Sequence, residues 1–446
     1  MSSFSKLRVG FGRADITPVE SVRLAGFGNT ERRMSEEIFT PLTATALAFS
    51  DEAEHTVLLI TVDLLCTPDA LTQRVRAEVR AVTGLADSRI LISATHTHSA
   101  PSVYEPEAPD IARYYPLLVS RIGEAAKAAM EDRAEASLFA ARRDIPGLNF
   151  VRRYRLADGD WLTDNYNGWR FKEIVGHESD ADPEMQLLKV VRPGKKDLLL
   201  CNWQAHPKMS GTGGQKNVSA DFVSPFRDAL EEKFGCLCAY FTGGAGNLNP
   251  ISRIPEEDPT HDFREYGALL ASRLFDLTDA DFVPVAGDRV ESRQLIYTAQ
   301  SNRATPELLE KANEIYEMWR RDGDLIAASR AGMPFGVHSP YHAGNLLRSV
   351  RLPEYQELEL DAFSLGGVAF VTAPYEMFDS NAKEIKTRSP FPLTFVCTSA
   401  NGKHGYVPSD EGCRHKGYEN DCTELVPGSG GKLRDAFLQL LADLHG

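Results

Sequence analysis

The sequence predicts an α/β fold: a mixed, largely internal β-sheet flanked by helices, with the active site at the strand ends. Three observations carry that prediction. Short, continuous apolar runs bounded by turn residues recur at 57–64, 90–94, 198–203, 237–241, 368–372 and 393–398, as expected of strands buried on both faces. Helix signals fall between several of them. Thr67-Pro68-Asp69 opens a helix that Gly84 closes, Ser224-Pro225 one that Gly235 closes, and Thr305-Pro306 one that Gly323 closes. Each has a hydroxyl cap, a proline in the first turn and a terminal glycine. Strands alternating with helices give an α/β domain. Finally, polar residues cluster just past the runs: His96, His98, His206, Asn247, Glu376 and Tyr406. In open α/β sheets, ligands gather beyond the carboxyl ends of the strands.

The outer bounds come from composition. A chain of 446 residues, 42% hydrophobic, can bury a substantial core. No linker, repeat or low-complexity tract divides it, and the polar stretches 158–182 and 255–265 read as loops, so a single domain over 1–446 is expected. The opening Met1-Ser2-Ser3-Phe4-Ser5-Lys6-Leu7 has no apolar core of signal-peptide length, and no stretch approaches the ~20 apolar residues of a membrane span. The expectation is a soluble, cytoplasmic protein without stable membrane association. Seven scattered cysteines do not resemble a disulfide framework. Cys236 and Cys238 read as core, and no Cys-x-x-Cys pair is present to build a thiolate zinc site. A net charge of -14 disfavours nucleic acid or anionic membrane as partner. A small-molecule substrate is expected, and homo-oligomerisation is left open.

The most informative stretch is Ala94-Thr95-His96-Thr97-His98-Ser99, where an apolar strand stops in two histidines spaced one residue apart. Side chains alternate along an extended chain, so both imidazoles leave on one face as long as the extension persists. One could bind a metal while the other handles protons. Each candidate also has a purely structural use. A histidine after a strand can donate to a backbone carbonyl, Glu376 can favour the start of a helix over 376–386, and Tyr406 and Tyr418 can pack with satisfied hydroxyls. Asp63 and Asp221 can cap turns or orient ligand histidines. The run Gly243-Gly244-Ala245-Gly246 lacks the Lys-Ser/Thr of a phosphate loop and suits a close backbone approach instead.

Together, Val9-Gly10-Phe11-Gly12-Arg13-Ala14-Asp15-Ile16-Thr17-Pro18, Leu24-Ala25-Gly26-Phe27-Gly28, Val62-Asp63-Leu64, the His96/His98 motif, Ser219-Ala220-Asp221-Phe222 and Ala245-Gly246-Asn247 resemble, in order, signature segments of the neutral/alkaline, non-lysosomal ceramidase family. The resemblance covers nearly the whole chain. Gly244 to Pro250, Asp182-Pro183-Glu184 and Gly417-Tyr418-Glu419 are similar to its short, single-domain bacterial relatives. It implies a zinc-dependent amidohydrolase without a C-terminal immunoglobulin-like domain. Position by position it implies one Zn2+ per chain on His96, His206, Glu376 and Tyr406, with His98 facing the substrate carbonyl and Tyr418 reaching the same pocket. Arg152 and Arg153 both stand where the family has a substrate-binding arginine. Asn247 is a further candidate for substrate binding.

One departure bears on mechanism. Asn249 stands before Pro250 where ceramidases have a serine, which argues against covalent serine catalysis; Ser252 is nearby but off the motif, and no Ser-His-Asp pattern appears. The expected mechanism is attack of zinc-activated water on an amide carbonyl, assisted by His98 and Tyr418, with Asn249 still able to hydrogen-bond substrate. Ceramide itself is not the expected substrate. Basic residues beside the motifs (Arg152, Arg153, Arg155, Lys208, Lys216, Lys403, His404, Arg414, His415 and Lys416) suit a small polar or anionic one, unless they are solvated loops. The alternatives are a zinc lactonase or esterase on the same fold and a non-catalytic ligand-binding relative.

Overall fold

In the computed structural model, which describes residues 7–27, 30–164, 168–257 and 259–446, two mixed sheets lie face to face with helices on both outer sides. Residues 1–6 of the opening segment and Gly28 of the second family segment lie outside the described residues. In chain order the main strands are β1 (Leu7–Asp15), β2 (Thr43–Ser50), β3 (Thr56–Val62), β4 (Ile90–Ala94), β5 (Ala134–Asp144), β6 (Glu184–Val191), β7 (Leu198–Trp203), β8 (Leu237–Thr242), β9 (Val290–Gln300), β10 (Tyr355–Leu365), β11 (Val368–Ala373) and β12 (Leu393–Thr398). The helices are α1 (Asp69–Thr83), α2 (Pro109–Glu131), α3 (Val223–Phe234), α4 (Phe263–Ser272), α5 (Pro306–Asp322), α6 (Leu325–Gly332), α7 (Pro340–Ser349), α8 (Asp379–Arg388), α9 (Tyr418–Asp421) and α10 (Ser429–His445).

The first sheet runs β8-β7-β6-β5-β1-β2-β3-β4, with Val283–Pro284 pairing on β5, and the second runs β9-β10-β11-β12. The mixed α/β class is as predicted, but the internal sheet is two sheets. Phe49, Leu59, Leu200 and Phe241 of the first meet Phe363, Phe370 and Phe395 of the second in one core. Helices α1 and α2 cover the outer face of the β1–β4 half, α3 and α4 that of the β6–β8 half, and α8 and α10 that of the second sheet. Both faces of the inner strands are therefore covered, which is why β3 is buried at all seven positions and reads as an unbroken apolar run. Helices α5, α6 and α7 form a smaller cluster around Ala312, Ile315, Ala328 and Leu346.

Within the two sheets most described strand pairs are antiparallel, and three are parallel: β3-β4, β7-β8 and β11-β12. A parallel pair needs a crossover, and α1, α3 and α8 supply them. The three crossovers bring three sets of carboxyl-terminal strand ends together. Hydroxyls and amides stitch them: Thr242 Oγ1 donates to the Thr95 carbonyl (2.7 Å), Thr398 Oγ1 to the Gly243 carbonyl (2.7 Å), and the Asn401 amide to the Ile92 carbonyl (2.9 Å).

Local details differ from the sequence reading. Thr305 caps α5 by accepting from the Leu308 amide, but Thr67 and Ser224 make no capping bond; Thr67 Oγ1 donates to the Ser399 carbonyl instead, and α3 starts at Val223, a residue before Ser224. The helix expected from Glu376 begins at Asp379, because Glu376–Met377 is first spent on a short parallel bridge to Tyr406–Val407.

Candidate metal centre

Strand β4 ends at Ala94, and the chain turns sharply: His96 has φ +69°, a left-handed conformation that costs a residue with a Cβ about 1–2 kcal/mol. His96 and His98 thus converge through a turn, whereas the sequence reading relied on continued extension. The turn is over-determined. Thr95 donates to Asp63 (3.2 Å), which Arg227 grips through both terminal nitrogens (3.1 and 2.7 Å), and the His96 amide donates to the Leu64 carbonyl. Asp63 therefore positions the backbone before His96 and touches no ring. Asp221, itself at φ +57°, accepts from the Ser210 and Phe222 amides, and burial pushes its carboxyl up to about 6.

His206, after β7, and Glu376, after β11, complete the cluster. The His96 and His206 ring centroids are 4.7 Å apart, and those of His98 lie 5.2 and 5.5 Å from them. Both outer rings are fixed through Nδ1, which donates to the Leu65 carbonyl in His96 (2.7 Å) and to the Leu248 carbonyl in His206 (2.9 Å). A carbonyl only accepts, so in the neutral rings Nε2 carries a lone pair. Those lone pairs face Glu376 Oε2, at 3.2 Å from His96 and 3.0 Å from His206. Acceptors so placed, away from water, call for a cation among them. A proton fits poorly: burial, reinforced by Arg152, pushes His206 down to about 3. A metal ion fits the donor set, which is imidazole plus carboxylate with each imidazole oriented by a carbonyl. Among the described residues His96 Nε2 has no hydrogen-bond donor, and neither ring nitrogen of buried His98 has a partner.

Gly246 allows the close approach expected of its run. A Cβ there would stand 2.7 Å from the Glu376 carbonyl oxygen, and its amide donates to Met377. The parallel bridge sets Tyr406 beside Glu376, and the Tyr418 ring lies 5.5 Å from that of Tyr406.

Of the two adjacent arginines, Arg152 reaches the cluster. Its Nη1 lies 3.3 Å from His206 Nε2, its Nη2 donates to the Gly246 carbonyl and the Tyr406 hydroxyl, and its guanidinium sits 5.6 and 5.7 Å from the Tyr406 and Tyr418 rings. Arg153 turns away from the cluster: its nitrogens go to Glu178, Glu419, Asn420 and the Gly412 and His415 carbonyls, so it braces the wall. Asn247 is tied at both ends of its amide to Asp379 at the start of α8. Asn249 donates to Asp164 (2.9 Å), and its buried Oδ1 has no partner among the described residues.

Sequence reasoning gave no role to Glu419, which is 0% exposed and binds Arg152 (2.6 Å) and Arg153 (3.2 Å) at once. Two consecutive arginines among apolar neighbours were the available signal, since buried charges require a partner. Nor did it foresee Asp164, which is held well below the usual carboxylate range by Lys208 and Arg253 against the opposing effect of burial. Ser252 does meet a histidine, His177 (3.3 Å), but Glu257 occupies the same Nε2 and Nδ1 bonds the Val151 carbonyl, so no relay of the serine-hydrolase kind exists there. Most of the basic residues near the motifs have partners: Lys208 pairs with Asp164, Lys216 with Glu36 and Arg414 with Glu411.

The family model for the N-terminal part of neutral/alkaline non-lysosomal ceramidases matches residues 7–234, just over half of the chain. The chain belongs to this family. It is 24% identical over 295 residues to the neutral ceramidase of Pseudomonas aeruginosa, matching 63% of this chain and 43% of that protein, so it spans under half the length of this relative. The crystal structure of neutral ceramidase from P. aeruginosa superposes with a TM-score of 0.74 at 19% identity, covering 99% of this chain and 74% of the other. A ceramidase solved in complex with C2 gives 0.73 at 17%, covering 99% and 75%. The ceramidase fold thus extends over β9–β12 and α5–α10, beyond the segment the family model matches. Among the described residues, no helix is long and apolar enough to cross a membrane.

Proposed function

We propose that this chain is a zinc-dependent hydrolase of an amide bond in a small, polar or anionic N-acyl compound, acting as one catalytic unit. The observation that carries the reading is the set of buried lone pairs on His96 and His206 turned toward Glu376 Oε2, with membership of a family of amide hydrolases as support. His96, His206 and Glu376 would hold the ion, with Tyr406 beside them. When bound, zinc polarises a carbonyl and makes water a competent nucleophile near neutral pH.

The chain's own residues do the rest. Burial, with His96 and His206 alongside, pushes His98 well below its ordinary range, so it stays neutral and can donate an N–H to a carbonyl oxygen as charge develops there. Tyr418, buried against Tyr406, also keeps its proton and can serve the same oxygen. Arg152 lowers the proton affinity of His206 and Lys208 that of His98, cations on this side that would suit a polar or anionic substrate.

Two substitutions test the division of labour. His98→Ala should keep its metal and lose about 100- to 1,000-fold in turnover, the loss typical of one oxyanion donor. His96→Ala should release metal. Metal analysis of both proteins decides, and equal metal loss would make His98 a third imidazole ligand. Asn249→Ala should weaken catalysis by roughly 1–3 kcal/mol, a buried hydrogen bond's worth, with metal retained. No acyl-enzyme should form, so a stoichiometric burst, or an acyl group found on Ser252 by mass spectrometry, would overturn the reading. Parallel rates on amide, ester and lactone panels separate an amidase from a lactonase. Absence of turnover on all of them would leave a ligand-binding relative.

A further inference from the structure

A second group of imidazole and carboxylate donors lies behind Tyr418, outside the candidate metal centre. His338 and His342 flank the start of α7, and Asp421 closes α9. Ser339 caps α7 by accepting from the His342 amide (3.0 Å), which fixes the two histidines against each other with ring centroids 5.0 Å apart. Asn345 of α7 donates to the Asp421 carbonyl (2.9 Å) and holds the carboxylate over them.

We infer that His338, His342 and Asp421 form a second metal site, which takes a zinc-class dication through both Nδ1 atoms and an Asp421 oxygen. The geometry of the donors argues for it. His342 Nδ1 accepts from the His338 backbone amide (3.2 Å) and lies 3.6 Å from Asp421 Oδ1. His338 Nδ1 lies 2.9 and 2.8 Å from the two Asp421 oxygens. All three ligand atoms fall within 4.8 Å of one another, close to the span of at most about 4.4 Å that a common ion about 2.2 Å from each would allow. Ligation needs His338 to carry its proton on Nε2, so that the ion takes the place of the Nδ1 proton, and the His342 Nδ1 lone pair to exchange the His338 amide for the ion. Two imidazoles and one carboxylate suit zinc and its neighbours better than calcium or magnesium, which prefer all-oxygen sets. His338 is 22% exposed, which leaves the ion a way in.

The location gives the site a use. Asp421 shares α9 with Tyr418 and Glu419, and Tyr341, between the two histidines, packs edge-on against Tyr418 with ring centroids 6.2 Å apart. An ion there would fasten the α5–α7 unit to the short helix that supplies Tyr418 and the carboxylate between Arg152 and Arg153.

The test uses the full chain and Zn2+ alone. Apoprotein is equilibrated with Zn2+, desalted and assayed for metal by mass spectrometry. A His96→Ala/His206→Ala variant, whose first cluster is disabled, should retain about one zinc per chain, and adding His338→Ala and His342→Ala should remove it. Equal zinc in the two variants would overturn the proposal. Anomalous diffraction from wild-type crystals soaked in Zn2+ needs no variant to fold. A peak bounded by the three side chains supports the site, and no peak there overturns it whatever is found at His96 and His206.

Discussion

Glu419→Ala is expected to destabilise the protein by about 3–5 kcal/mol, the usual consequence of removing one partner from a buried ion pair. Here the loss touches two charges and strands one of them. Arg152 and Arg153 are each 1% exposed, and Glu419 is the carboxylate they share. Arg153 keeps Glu178, whereas Arg152 is left with a carbonyl, a phenol and an imidazole. Thermal melts and denaturant titrations of wild type and variant measure the effect. Glu419→Gln, which keeps shape and an acceptor but not the charge, should fall between them. A melt unchanged by Glu419→Ala would mean that Arg152 is neutralised by another group.

The second large effect is expected at Glu376. Glu376→Ala and His206→Ala should each lose most bound zinc, and with it activity, by more than the 10- to 100-fold that follows loss of a group merely orienting a ligand. Glu376→Gln is the more discriminating variant, because it can still hydrogen-bond His96 and His206 and should preserve the fold while weakening the metal. Chelator competition followed by metal analysis gives the ranking. Full zinc occupancy in Glu376→Ala would remove Glu376 from the ligand set.

Much of this was legible in the sequence, and for identifiable reasons. Strands covered on both faces leave unbroken apolar runs, so β4, β7 and β12 could be bounded to the residue. The chemistry-bearing residues follow those runs directly, which is why His96, His206 and Glu376 could be named before any geometry existed. What the sequence hid was pairing. Whether the strands form one sheet or two depends on contacts between segments far apart in the chain, such as Phe241 against Phe370 at 5.8 Å. Which neighbour of an Arg-Arg pair faces the site depends on where Glu419 and Glu178 arrive. Asn247 reads as a substrate contact in the sequence because an amide can bind many groups; its two bonds to Asp379 belong to the tertiary structure. The His338/His342/Asp421 group was invisible because Asp421 lies 79 residues beyond His342 in sequence and no short spacing announces it.

The three crossover units have a consequence for biosynthesis. Each delivers a different part of the candidate metal centre: His96 after the first parallel pair, His206 within the second, Glu376 within the third. Through residue 234, the end of the segment the family model matches, the chain carries both imidazoles but not Glu376. The donor set is therefore complete only once the third crossover has been made. A chain that stops short of the second sheet would lack that carboxylate together with Phe363, Phe370 and Phe395, the apolar cover of the first sheet's inner face.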